Sequence, residues 1–307
     1  MAKNKKKKKQ LYKMIYIILL LIISIIGINY VDIEEYFNIN KKVINPITAE
    51  ESQNVVLEGD DILQIYFFDV KQADSILIVS DNKTMLIDAG NNEDGKLIVN
   101  NIKDLGINKI DYLIGTHPHE DHIGGLDDVI NNFEIGTIYI PRAQTNTKTF
   151  EDVLDAILDK NLSVITPNQG DTFTIGKVQC EVMLCGDKVK EENLNLSSLV
   201  LRLTYGNQSY LFMGDAETKN EESRTWPQTN VLKVGHHGSD TSSSKKFLEQ
   251  VLPQISIISV GKNNTYGHPK QTTLDKLNKI GTLIYRTDIN GNILLESDGI
   301  NNKISYY

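Results

Sequence analysis

Cysteine is scarce in this 307-residue chain, and the two present, Cys180 and Cys185, supply no disulfide scaffold. They stand five apart in VQCEVMLCG, which reads as a strand, and an odd offset there puts side chains on opposite faces. Neither has the close Cys or His partner of a zinc ribbon. Basic charge is equally sparse once the N-terminus is set aside. Taking the seven lysines of residues 1–13 from the 32 basic residues leaves 25 against 40 acidic ones, a net charge of −15 for residues 14–307. Such a body is a poor general binder of polyanions, because sequence-independent nucleic-acid binding is driven by Lys and Arg on phosphates. Repeats at solenoid spacing are missing as well.

What is present begins with Lys3, Lys5 to Lys9 and Lys13, followed by MIYIILLLIISIIGINYV at 14–31. Eighteen residues with Ser24 and Asn29 as the only clearly polar members just suffice to span a bilayer. The preceding lysines favour a cytoplasmic N-terminus and an exported remainder. No small-x-small cleavage site follows, so the run reads as an uncleaved signal anchor, with a cleaved signal peptide as the alternative. Residues 32–60 read as a polar tether, and 61–307 as one globular domain.

Within that domain ILQIYFFDV, SILIVS and TMLIDAG read as successive antiparallel strands. GKLIVNNIKDLG is a helix ending at Gly106, and IDYLIGT is a strand delivering the chain to HPHEDH. GGLDDVINNF and TFEDVLDAILDKN read as helices. Hairpin turns are expected at Gly206-Asn207 and at Asn290-Gly291. Two strand-rich halves with helices between them imply a layered sheet core covered by helices.

Histidine carries the chemistry. All six, His117, His119, His122, His236, His237 and His268, fall in three short segments after apolar runs. Imidazole is a preferred ligand of zinc and similar metals. In an extended THPH stretch His117 and His119 project from one side and reach one ion. Asp121 and His122, at the start of a helix, can face a second. Gly124 and Gly125 remove bulk where backbone must pack closely. Asp215, in YLFMGDAE, is either a turn cap or a carboxylate bridging two ions. Adjacent side chains diverge at His236 and His237, so one is a ligand and the other faces substrate. His268, in NNTYGHPK, is either a turn residue or a catalytic group.

At these residues the chain resembles the metallo-β-lactamase superfamily, whose signature HxHxDH is matched by THPHEDH. FFDVKQADSILI, LIDAG, NLNLSSLVLRL, LFMGDAE, LKVGHHGS and YGHP follow in the order seen in the hydrolase domain of ComEC-type competence proteins. The resemblance spans about 61–307 and implies an α/β fold, an αββα sandwich behind one transmembrane helix. It implies two divalent ions, Zn or Mn. His117 and His119 would hold one ion, Asp121 and His122 the other, with Asp215 bridging and one of His236/His237 completing the set. Asp88 would orient the ligand loop. There are departures. The usual GQGD reads KQAD, keeping Asp74 without its glycines. Many members carry a further His before the Asp215 motif; here none lies between His122 and His236, and Asn195 stands near that place.

The implied activity is hydrolysis by a metal-activated hydroxide, placed by Asp215, with His268 or the non-ligand histidine donating a proton to the leaving group. The expected substrate is a phosphodiester, DNA or a wall polymer, outside the cytoplasm at the cell membrane, or beyond it if the N-terminal segment is cleaved. The alternatives are hydrolysis of a β-lactam or ester, and a metal-binding module without turnover. The sequence identifies no protein partner.

Overall fold

The computed structural model describes residues 52, 53, 55–58, 61–143, 145–186 and 193–307. The basic tail, the apolar run at 14–31 and most of the expected tether lie outside the described residues. Among the described residues no helix is long and apolar enough to cross a membrane. Part of the segment read as a tether is packed against the domain. Ser52 is buried with its hydroxyl 2.5 Å from that of Tyr285, and the Glu58 N–H donates to Asp298.

Strands β1 (Leu63–Phe67), β2 (Ile76–Ser80) and β3 (Lys83–Ile87) form an antiparallel meander, as their short runs of β-branched and aromatic residues predict. Helical crossovers then add parallel strands. Helix α1 (Gly95–Asp104) leads to β4 (Lys109–Ile114). Helices α2 (Glu120–Ile123) and α3 (Leu126–Asn132) lead to β5 (Glu134–Tyr139), and α4 (Lys148–Asp159) to β6 (Val164–Ile165).

The second sheet opens with the antiparallel strands β7 (Thr172–Ile175), β8 (Val178–Leu184), β9 (Val200–Tyr205) and β10 (Gln208–Phe212). It continues in parallel through β11 (Val231–Lys233), β12 (Ile255–Ile258) and β13 (Leu283–Arg286). Helix α5 (Thr218–Glu221) precedes β11, and α6 (Lys245–Val251) and α7 (Gln271–Lys279) make the later crossovers. After α8 (Thr287–Asn290) the chain returns to the first sheet as β14 (Ile293–Ser297) and β15 (Asn302–Tyr306), with β14 beside β1.

Burial defines four layers. Leu63, Ile65 and Phe67 of the first sheet meet Val182, Leu201 and Phe212 of the second in a shared core. The opposite face of the first sheet, including Leu77, Leu86 and Leu113, packs on Ile98, Ile102 and Val129 of the helices. The outer face of the second, including Leu211 and Leu232, packs on Phe247, Val251 and Leu277. Strands covered on both faces read as apolar runs rather than alternations, which explains ILQIYFF and ISIIS.

Two sequence readings change. Asn290-Gly291 is not the terminal hairpin turn. Thr287–Asn290 forms a helical turn, and the hairpin reverses at 298–301, where Asp298 accepts the N–H groups of Ile300 and Asn301. The segment read as one strand holds Cys180 within β8, and Cys185 lies just beyond its end.

Candidate metal centre

Parallel strands deliver their following loops to one edge of a sheet, and both sheets do so at the same end of the sandwich. Asp88 follows β3, His117 and His119 follow β4, Asp215 follows β10, and His236 and His237 follow β11. The ligand loop is braced from behind. Asp88, fully buried and at φ 59°, accepts the Thr116 N–H (2.7 Å), the Thr116 hydroxyl (2.7 Å) and the Nδ1 proton of His122 (2.7 Å). Burial raises its carboxyl, and the neighbouring His122 charge offsets this only in part. Fixing Nδ1 this way points His122 Nε2 into the site.

Asp215 joins two groups of donors. Its Oδ1 is 3.1 Å from His122 Nε2 and 3.7 Å from His237 Nε2, while its Oδ2 is 3.8 Å from His117 Nε2. Asp121 Oδ2 lies 3.3 Å from His237 Nε2, so Asp121, His122, Asp215 and His237 converge with donor atoms within 4.8 Å of one another. His117, His119 and Asp215 form a second such set, with His117 Nε2 and His119 Nδ1 only 3.0 Å apart. The donors suit a transition metal: imidazole nitrogens and carboxylates with no lysine or arginine among them. His122 Nε2, Asp215 Oδ1 and His237 Nε2 are buried and find no hydrogen-bond partner among the described residues. Three orphaned buried atoms aimed at one point are costly unless an ion satisfies them. The Asp121 set offers four donors against three and is the one expected to bind more tightly.

The protonation states agree. Burial, then the charge of His122, holds His117 well below the usual histidine value, leaving it neutral for ligation. Burial pushes Asp215 up, but His122 and His237 outweigh this and hold it well below the carboxylate range. Asp121 is likewise held low, its burial overcome by His122 and His237.

Of the histidine pair, His237 falls within the four-donor set and His236 within neither. Both residues adopt left-handed backbone, φ 50° and 49°, and their rings diverge. His237 is buried, with Nδ1 donating to the Ser259 carbonyl at 3.0 Å. His236 is partly open; its Nδ1 meets Thr241 at 2.9 Å, and its Nε2 lies 3.6 Å from Asp215 Oδ2. Asn195 stands beside it, its amide nitrogen donating to Glu217 at 3.1 Å and lying 3.5 Å from His236 Nε2. Asn195 Oδ1 has no hydrogen-bond partner among the described residues.

His268 is not a ligand. It sits on the rim of a cavity of about 330 Å³ that also includes Gln72, Glu120, His236 and Tyr266. Burial and the nearby His236 push its imidazole down to about 4, so at neutral pH it is an uncharged hydrogen-bonding group. Tyr266, the first residue of the YGHP motif, is exposed and stacked on His268 at 5.7 Å; the motif marks it but assigns it no role. Asp74 lies behind His237 rather than in the cavity, with Nδ1 of the imidazole 3.4 Å from its Oδ1. In its loop Lys71 takes φ 58°.

The Lactamase_B family model, described as the metallo-beta-lactamase superfamily, matches residues 68–262. The chain belongs to the metallo-β-lactamase superfamily. Within this superfamily it is related to the ComEC-type competence proteins. It is 35% identical over 192 residues to ComE operon protein 3 of Bacillus subtilis, covering 61% of this chain and 25% of that protein. It is 30% identical over 237 residues to Recombination protein 2 of Haemophilus influenzae, covering 75% of this chain and 28% of that one. The chain thus spans about a quarter of the length of these relatives. Among solved structures, the metallo-β-lactamase fold protein YhfI from Bacillus subtilis aligns with a TM-score of 0.53 at 12% identity, over 78% of this chain and all of that one. The superfamily fold with these His/Asp clusters supports metal-dependent hydrolysis in general.

Proposed function

We propose that this chain hydrolyses phosphodiester bonds with a pair of divalent ions, zinc or manganese, on the outer side of a membrane to which residues 14–31 anchor it. The observation that carries the reading is Asp215, whose two carboxylate oxygens face two separate donor sets at the floor of an open cavity. His117, His119 and Asp215 would hold one ion, and Asp121, His122, Asp215 and His237 the other. When bound, such ions acidify water from a pKa of about 15.7 to about 7 and stabilise charge on attacking and leaving oxygens.

The chain's own residues do the rest. Asp88 and Thr116 keep His122 in one tautomer, and Ser259 does the same for His237. His268 and His236, at the cavity wall, are placed to donate hydrogen bonds to a substrate oxygen. The names of the relatives, a competence operon protein and a recombination protein, favour DNA. The net charge of −15 over 14–307 tempers the DNA reading, and a phosphodiester-bearing wall polymer is the second candidate.

The test is metal analysis of the purified protein with turnover of bis-p-nitrophenyl phosphate in Mn²⁺ or Zn²⁺, then release of fragments from DNA and from purified cell wall. Bound metal with none of these substrates cleaved would replace this reading with a binding module. Protease access to the domain in intact cells tests its placement.

A further inference from the structure

We propose that Lys233 is a positioning residue for the four-donor metal site, acting through Asp74 on His237. The inference rests on the metal-ion reading above. Lys233 ends β11, and its side chain is wholly enclosed. Its ammonium donates to Asp74 Oδ2 at 2.7 Å and to the Val234 carbonyl at 3.2 Å. Such a pair is hard to justify by stability alone, because desolvating two charges offsets most of their attraction and an apolar pair of similar volume often does as well. Its position supplies another reason.

Asp74 belongs to the loop between β1 and β2 of the first sheet, and Lys233 to the second sheet. The pair therefore ties the two sheets together behind the site. The four donors come from both halves: Asp121 and His122 from the first, Asp215 and His237 from the second. Asp74 is anchored to the first half by its backbone. Its N–H donates to the Asp121 carbonyl (3.0 Å), and its carbonyl accepts the Gly90 N–H (2.9 Å). Its Oδ1 has no hydrogen-bond partner among the described residues and lies 3.4 Å from His237 Nδ1. The carboxylate thus stands against the back of the imidazole whose Nε2 faces Asp121. Lys233 holds the carboxylate there. No hydrogen bond among the described residues ties Lys233 or Asp74 to His117 or His119, so the clamp reaches the three-donor site only through the shared Asp215.

The test uses the full chain carrying Lys233→Met with Asp74→Leu. This removes one charge of each sign, so the net charge of the protein is unchanged while the clamp is lost. Zn²⁺ is titrated by calorimetry, with bound metal counted by mass spectrometry. The expected result is a fall of about 10–100-fold in affinity for the tighter equivalent, the usual effect of losing a group that orients a ligand. The weaker equivalent, linked to the clamp only through Asp215, should lose clearly less. Unchanged binding of both equivalents, or equal losses at both, overturns the proposal. Unsubstituted protein that binds no Zn²⁺ instead overturns the metal reading itself. If the double variant does not fold, the ammonium ¹⁵N resonance of Lys233 in the unsubstituted protein decides. It should move with the first Zn²⁺ equivalent, and a resonance indifferent to that equivalent overturns the proposal.

Discussion

His122 donates its Nδ1 proton to Asp88 Oδ2 across 2.7 Å, both side chains fully buried. The same ring turns Nε2 toward Asp215 Oδ1 at 3.1 Å, so one carboxylate orients the imidazole and another shares its ion. This arrangement makes His122 both a ligand and the group whose proton competes with the metal.

Affinity of the four-donor site should therefore rise with pH. Burial pushes His122 down, but Asp215 and Asp88 outweigh it and hold the imidazole well above its ordinary 6.5. In the metal-free protein it carries a proton at neutral pH, and that proton must leave before Nε2 can ligate. Raising the pH weakens this competition, by up to about tenfold in affinity per unit, until the raised pKa is passed. His117 is already neutral, so the three-donor site should be flatter. Calorimetry in buffers of different ionisation enthalpy should find protons released with the tighter ion, from His122 and from His237, which Asp215 and Asp74 also hold above its ordinary value against burial. Affinity independent of pH between 6 and 8 would contradict this account.

His237→Ala and His236→Ala should behave differently despite being neighbours. The first removes a buried donor of the tighter site, and bound Zn²⁺ should fall by one equivalent. The second leaves both donor sets intact, so stoichiometry should hold while turnover falls about 10–100-fold through loss of a substrate contact. Loss of metal on His236→Ala alone would reverse the assignment.

Asp121→Ala should lower turnover by at least about 100-fold, since the substitution removes a metal ligand without filling the cavity. Circular dichroism should be unchanged, because Asp121 sits on a loop-like helical turn outside the apolar clusters. Full turnover in this variant would remove the four-donor set from the mechanism.

Gly124→Ala tests how tightly the ligand loop is packed. A methyl group there would come within 2.3 Å of the backbone of Asn91 and Asn92. Neither backbone can give way without moving the loop after Asp88. A loss of about 1–3 kcal/mol is expected in denaturant unfolding. The tighter ion should weaken as well, because that loop carries the carboxylate that orients His122. Unchanged stability would show that the loop yields freely.

Much of the fold was legible because its signals are local. Period-two and apolar runs marked β1 to β5, and helical stripes such as Ile98, Val99 and Ile102 marked α1. Asn290-Gly291 misled because a turn-forming dipeptide does not say which elements it joins; β13 and β14 belong to different sheets. In the site, the donors themselves were visible as residue types after strands. Lys233 was not, since a lysine in an apolar strand looks the same whether its ammonium reaches solvent or a carboxylate 159 residues away.

The sequence by itself determined the donor inventory and the strand ends that carry it, because ligand chemistry and backbone periodicity are properties of neighbouring residues. Tertiary structure alone decided that Asp215 faces both donor sets, that His237 rather than His236 completes one of them, and that a buried ammonium stands behind it. Those outcomes depend on how two sheets face each other at their carboxyl ends, and no short-range pattern encodes that distance.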